Sequence, residues 1–204
     1  MFSFFYGLFW YLFKREEYHV LMLGADNGGK TTLLEHLKGK YSREESLPPE
    51  KILPTVGLNI GRIEAFKTKL ILWDLGGAAG LRSIWENYYE EAHAVVFVVD
   101  AADDDADRWA DARGAIDVVL ASERLDGAPL LVLANKRDKE GAVGEEETWS
   151  RLGMRGRPNE RQVRIQSISA LEGDGVDDAF CWLVETAKQS PRSAALRASG
   201  VGVQ

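Results

Sequence analysis

The chain has 204 residues, the size of one α/β domain with some decoration, and at 45% hydrophobic it can bury a proper core. A net charge of −7 speaks against a nucleic-acid binder, which carries a basic face. The single cysteine excludes an internal disulfide and fits a reducing compartment.

The chain opens on an apolar run, Met1 to Phe13, interrupted only by Ser3 and Gly7 and ended by Lys14-Arg15-Glu16-Glu17. As a helix this run spans roughly 20 Å, short of the about 30 Å core of a bilayer. A signal peptide fits poorly, because there is no basic leader and no small-residue cleavage site. The aromatics and the terminal position point to a helix over residues 1–16 that lies in a membrane interface or a partner groove. Met1, Phe2, Phe5, Phe9, Leu12 and Phe13 are its candidate contacts, and a helix buried in the domain core is the other reading. Phe2 stands where N-myristoylation needs glycine, so that anchor is excluded.

Tyr18 to Leu23 reads as a buried strand. Gly24-Ala25-Asp26-Asn27-Gly28-Gly29-Lys30-Thr31 follows, and Thr32-Leu33-Leu34-Glu35-His36-Leu37 opens a helix. Strand, glycine loop, helix is the setting in which this pattern is a phosphate cradle rather than a chance turn. Asp26 to Thr32 supply backbone N–H groups, and the helix start adds partial positive charge. Lys30 can reach the β- and γ-phosphates, and the Thr31 hydroxyl can ligate Mg²⁺.

Pro54-Thr55-Val56-Gly57 leads into a hairpin whose strands, Leu58–Ala65 and Lys69–Asp74, flank Phe66-Lys67-Thr68. Trp73-Asp74-Leu75-Gly76-Gly77 ends it. Asp74 is placed to hold Mg²⁺ through water, and the Thr55 hydroxyl can join it when a nucleoside triphosphate is bound. The Gly77 N–H can approach the γ-phosphate because glycine has no Cβ. These contacts require the third phosphate, so both loops are expected to order with the triphosphate and relax with the diphosphate.

Ala94–Asp100 and Leu130–Asn135 are continuous apolar runs, as buried parallel strands are, whereas Val163–Ser169 alternates and suits a position nearer an edge. Helical stretches lie around 106–122, 145–151 and 176–188. The pattern predicts an α/β fold, a mostly parallel six-stranded sheet with helices on both faces. Asn135-Lys136-Arg137-Asp138 closes a strand, where open α/β sheets bind ligands. The Asp138 carboxylate can accept from guanine N1–H and N2–H, a donor pair adenine lacks. Asn135 can tie the base edge to the glycine loop, and Lys136 can lie along the base plane. After Ser169, the Ala170 N–H can meet guanine O6. Asp103-Asp104-Asp105 with Asp107 lacks calcium-loop spacing and reads as a solvated helix start. The three histidines show no metal spacing, and Trp109, Trp149, Trp182 and Cys181 read as packing residues. The tail 189–204, rich in Ser, Ala and Gly, reads as disordered.

In this order the motifs resemble small GTPases of the Arf/Arl/Sar branch, over about residues 5–188. The tryptophan before Asp-x-Gly-Gly and the apolar N-terminus separate that branch from Ras and Rab relatives. Thr55 to Gly61, Trp85-Glu86-Asn87-Tyr88-Tyr89 and Phe2 are similar to its non-myristoylated, trans-Golgi members. The resemblance implies a P-loop, Ras-like domain over 17–188 that uses GTP, GDP and Mg²⁺. It implies a monomer served by an exchange factor, a GTPase-activating protein and GTP-state effectors, cycling between cytoplasm and the cytosolic face of the Golgi. It further implies that the N-terminal helix is hidden with GDP and expelled when the hairpin, about Leu58 to Trp73, slides in register. A two-residue slip keeps every side chain on its own face. Leu58, Trp73 and Tyr88, with Trp85, map onto the effector and switch surface, and Leu58 replaces a common phenylalanine. An acetylated Met1 and an integral Golgi membrane receptor take the place of myristate.

One position departs from the family pattern. Ala78 stands where glutamine normally follows Asp-x-Gly-Gly, completing a catalytic set with Lys30 and Thr55. The glutamine orients the attacking water and works with an arginine from the activating protein. Alanine does neither, so nucleotide binding is expected to survive and hydrolysis to fail. Ala78 is either natural or an engineered change that traps the GTP state, and the otherwise intact machinery favours the second. A metabolic or motor NTPase, or a nucleotide-dependent scaffold outside membrane traffic, is the alternative function, though the short chain has no coupling domain. A nucleotide-independent binding module is opposed by the intact Lys30, Thr31, Asn135 and Asp138.

Overall fold

The computed structural model describes residues 16–43, 45–154 and 161–201. The chain runs β1 (Glu17–Leu23), α1 (Lys30–Tyr41), β2 (Leu58–Ala65), β3 (Thr68–Leu75), a 3₁₀ segment (Ala79–Tyr88) and β4 (Ala94–Asp100). It continues through α2 (Ala106–Ala121), β5 (Leu130–Asn135), α3 (Glu145–Arg151), β6 (Val163–Ser167), α4 (Val176–Gln189) and α5 (Pro191–Ala198). The six strands form one sheet in the order β2-β3-β1-β4-β5-β6, antiparallel only between β2 and β3. The alternating β6 lies at an edge, as its pattern predicts.

Period-two alternation divides the core. Tyr18, Val20 and Met22 of β1 face α1 and α4, where Leu33, Leu37, Phe180 and Leu183 cover them. Leu21 and Leu23 face the other way, onto Trp85 and onto Trp109 and Ile116 of α2. With β1 between β3 and β4, the strand order reverses at its C-terminal end, and a crevice opens there.

The hairpin tip is tighter than its sequence implies. Phe66 and Lys67 both adopt left-handed backbone, φ 52° and 60°, the two-residue turn that matches strand twist. Thr68 therefore already belongs to β3, and its hydroxyl donates to the Ala65 carbonyl at 3.1 Å.

Two expectations are corrected. The stretch after residue 189 is not disordered as far as it is described, because Pro191–Ala198 forms α5. The Ser190 side chain accepts from the Ser193 N–H and Pro191 occupies the first turn, so two local start signals nucleate it. The Arg192 guanidinium anchors it by donating to the carbonyls of Ala92, Tyr89, Glu90 and Asp126. Cys181 is not a core residue either. It lies half-buried on α4, its thiol 3.8 Å from the Glu185 carboxylate. The expected N-terminal contacts, Met1, Phe2, Phe5, Phe9, Leu12 and Phe13, lie outside the described residues. No helix among the described residues is long and apolar enough to cross a membrane.

Candidate functional site

The glycine loop closes on α1 as predicted. Gly29 is the N-cap of α1 with φ 93°, a conformation L-residues rarely adopt. A Cβ there would stand 2.2 Å from Asn135 Nδ2, so the position requires glycine. The Lys30 ammonium is buried and donates to the Gly24 and Ala25 carbonyls at 3.1 and 2.9 Å. Burial lowers its pKa, while the Asp74 and Asp26 carboxylates pull the other way. Asp26, Asn27, Gly29, Lys30, Thr31, Thr32, Thr55 and Gly77 line one open cleft.

At the floor of that cleft three oxygens converge. Thr31 Oγ1 lies 2.7 Å from both Thr55 Oγ1 and Asp74 Oδ2, and Thr55 Oγ1 lies 3.2 Å from Asp74 Oδ2. Asp74 is fully buried, and its Oδ1 has no partner among the described residues. Burial raises its pKa, opposed by the hydrogen bonds from Thr31 and Thr55 and by the Lys30 charge. An all-oxygen donor set with an orphaned carboxylate oxygen fits a hard divalent cation such as Mg²⁺. Gly77 stands opposite. A Cβ on it would fall 2.4 Å from Lys30 Nζ and 2.6 Å from the Gly24 carbonyl, so backbone and ammonium approach as only glycine permits.

The loop expected to read the base is assembled by Asn135. Its Nδ2 donates to the Gly28 carbonyl and its Oδ1 accepts from the Ala170 N–H, both at 2.8 Å. The Ala170 N–H, expected to meet guanine O6, is thus committed to Asn135, because a buried amide needs a partner. Lys136 has φ 69°, and its ammonium is held 2.6 Å from Asp100 Oδ2. Asp138 is exposed, and its carboxylate has no hydrogen bond to another described residue. Ser169 is buried, with its Oγ accepting from the Glu172 N–H.

The ADP-ribosylation factor family profile matches residues 5–187. This chain belongs to that family. ADP-ribosylation factor-related protein 1 of Homo sapiens is 39% identical over 187 residues, covering 91% of this chain and 92% of its own length. ADP-ribosylation factor-like protein 3 of Saccharomyces cerevisiae is 36% identical over 184 residues, covering 88% and 90%. Among solved structures, the Arl6 BBS3 small GTPase of Trypanosoma brucei, with bound nucleotide analogue GppNp, superposes with a TM-score of 0.73 at 33% identity. That match covers 85% of this chain and 98% of the other. The fold is therefore that of a Ras-like small GTPase, and the chain is a GTP-binding switch of the kind the family uses in trafficking. Family members engage exchange factors, activating proteins and effectors.

The expected effector surface is only partly a surface. Trp73 is buried, its ring 5.4 Å from Tyr88 and 4.6 Å from His19. Trp85 is buried at 1% exposure and its indole donates to the Gly76 carbonyl at 3.0 Å, so it braces the switch loop from within. Leu58 and Tyr88 stay half-exposed, and Val56 and Leu53 are strongly exposed beside them in sequence. Asp105 caps α2 by accepting from Asp107 N–H and Asp103 pairs with Arg108, as a solvated helix start should. Sequence reasoning missed Glu35, Asp100, Arg82 and Asp111. Glu35 is buried, pairs with Lys38 and accepts from the Leu47 N–H at 2.7 Å, tying the loop before Thr55 to α1. Its place among the leucines of α1 was the one available signal.

Proposed function

We propose that this chain is a GTP-operated recruitment switch of Golgi membranes whose own hydrolysis is slow. The observation that carries the switch is the convergence of Thr55, Thr31, Asp74, Lys30 and Gly77 around one cleft. Thr55 and Gly77 belong to separate loops, and the Gly76 N–H joins them by donating to the Gly57 carbonyl at 2.9 Å. A third phosphate between Lys30 and Gly77 would hold both loops; its loss would release both. Thr31 and Thr55 would hold Mg²⁺, with Asp74 behind them through water, and the ion would neutralise charge on the β- and γ-phosphates.

Slow hydrolysis follows from Ala78. Its methyl group, at the entry to the 3₁₀ segment, can neither orient water nor accept a proton. Ala78→Gln is expected to restore stimulation by an activating protein in single-turnover assays. Equal, brisk hydrolysis by both forms would refute the assignment.

The Golgi reading is supported by Phe2 in place of an acylated glycine and by the aromatic run that follows. Phe66 packs 5.5 Å from Tyr41, and Lys188 of α4 donates to the Phe66 carbonyl, so the hairpin tip is docked on the domain. Pulldown of membrane proteins with GTP-loaded chain, with and without residues 1–13, tests the anchor. Unchanged recovery after deletion would remove it.

A further inference from the structure

Directly after Gly77 the chain has no polar side chain with which to hold itself. Ala78, Ala79, Gly80 and Leu81 carry no polar side chain, so Arg82 is the first residue after Gly77 that can. Its guanidinium does so with three edges. Nε donates to the Gly77 carbonyl at 2.9 Å, and the two terminal nitrogens donate to the two oxygens of Asp111 on α2, at 2.8 and 2.5 Å. The group sits over the Trp85 ring at 5.8 Å and is mostly buried.

The neighbouring main-chain groups are equally constrained. The Gly76 N–H donates to the Gly57 carbonyl, and the Gly76 carbonyl accepts from the Trp85 indole. With the Gly77 carbonyl taken by Arg82, three of the four polar groups of this dipeptide are used. The fourth, the Gly77 N–H, has no partner among the described residues, at a position where an added Cβ would fall 2.4 Å from Lys30 Nζ.

We infer that Arg82 is the positioning residue for the γ-phosphate contact, clamping the Gly77 peptide to α2 through Asp111. This rests on the reading of Gly77 as the group that meets the third phosphate. Where the family pattern has glutamine directly after the glycines, a polar side chain is present at once; here Arg82 supplies the first one. A fork of this kind requires the planar guanidinium, because an ammonium cannot bridge a carbonyl and both carboxylate oxygens together. Because a diphosphate does not extend to Gly77, the clamp bears on GTP and not on GDP.

Dissociation of mant-labelled GTPγS and mant-GDP, measured by stopped flow with Mg²⁺, tests it. Asp111→Asn is the main variant, since Asp111 is 45% exposed on a helix and its loss leaves the core intact. Arg82→Lys is the second. Each is expected to release the triphosphate about tenfold faster, the scale of one charged hydrogen bond, with GDP release changed less than about twofold. The double variant should be no worse than either single one, as for residues acting as one unit. Equal acceleration for both nucleotides, or no acceleration, overturns the clamp. Gly77→Ala separates the two levels. If it loses the triphosphate selectively while Asp111→Asn does not, the clamp fails and the γ-phosphate reading stands. If the unmodified chain does not distinguish the two nucleotides, both fail.

Discussion

Asn135→Ala removes a side chain that makes no apolar contribution of note and yet joins two loops. Asn135 is 2% exposed and bridges the Gly28 carbonyl to the Ala170 N–H, each at 2.8 Å. Gly28 is buried and Ala170 is 2% exposed, so water reaches neither orphaned group easily. Each buried polar group left unpaired costs about 1–3 kcal/mol, and partial wetting of the small void favours the lower half of that range. The expected loss is about 3 kcal/mol, a large share of the about 5–15 kcal/mol typical of a domain. With an m-value of about 2 kcal/mol/M, the urea midpoint falls by about 1.5 M. Unfolding should be followed by tryptophan fluorescence after nucleotide removal, so that ligand linkage does not mask the change. Asn135→Asp provides the internal contrast. It keeps an acceptor for Ala170 but turns a carboxylate oxygen toward the Gly28 carbonyl, and should be at least as damaging. A loss below about 0.5 kcal/mol for the alanine variant would refute the bridging role, since surface substitutions away from such features reach that size.

Two further outcomes follow from groups outside the cleft. His93 is fully buried, its Nδ1 accepts the His19 N–H at 3.1 Å, and burial, aided by His19, Arg192 and Arg197, pushes its pKa down to about 3. The unfolded chain then binds a proton below about pH 6.5 that the folded one refuses, so stability present above that pH is lost as the pH falls toward 3. Between pH 7 and 5 this amounts to about 2 kcal/mol, and His93→Asn, which keeps an acceptor, should flatten that part of the urea stability profile. Arg192→Ala strips donors from the carbonyls of Tyr89, Glu90, Ala92 and Asp126, and should cost about 2–3 kcal/mol, lowering the melting temperature by about 5–10 °C. Arg192→Lys should recover less than half of that shift by the same thermal melt, because a point charge cannot span those carbonyls.

Much of the site was legible along the chain. Gly29, Lys30 and Thr31 were readable because a strand, a left-handed glycine and a helix start are local events with local residue preferences. Asp74 and Asn135 were readable because each ends an apolar strand, and such ends line the crevice of an open sheet. The edge position of β6 followed from its alternation, set against the continuous apolar runs of β4 and β5. Trp85 was misjudged because an aromatic after a glycine pair looks the same in sequence whether it faces solvent or fills the core. The tail was misjudged because its composition suits disorder, while Ser190 and Pro191 supply a helix start that Arg192 then fastens down.

What no local pattern contains is the choice of distant partner. Arg82 finds Asp111, Asn135 finds Ala170, Arg192 finds the chain around Tyr89, and His93 finds His19. Each pairing depends on how two elements pack, and neither element carries a trace of the other in its own residues. Backbone conformation and donor chemistry are written within a few residues of one another, so the glycine loop at the start of α1 and the loop that Asn135 opens could be singled out from the sequence. The braces that hold Gly77, the Ala170 loop and α5 in place arise only once the two faces of the sheet are covered and the remaining polar groups must be satisfied.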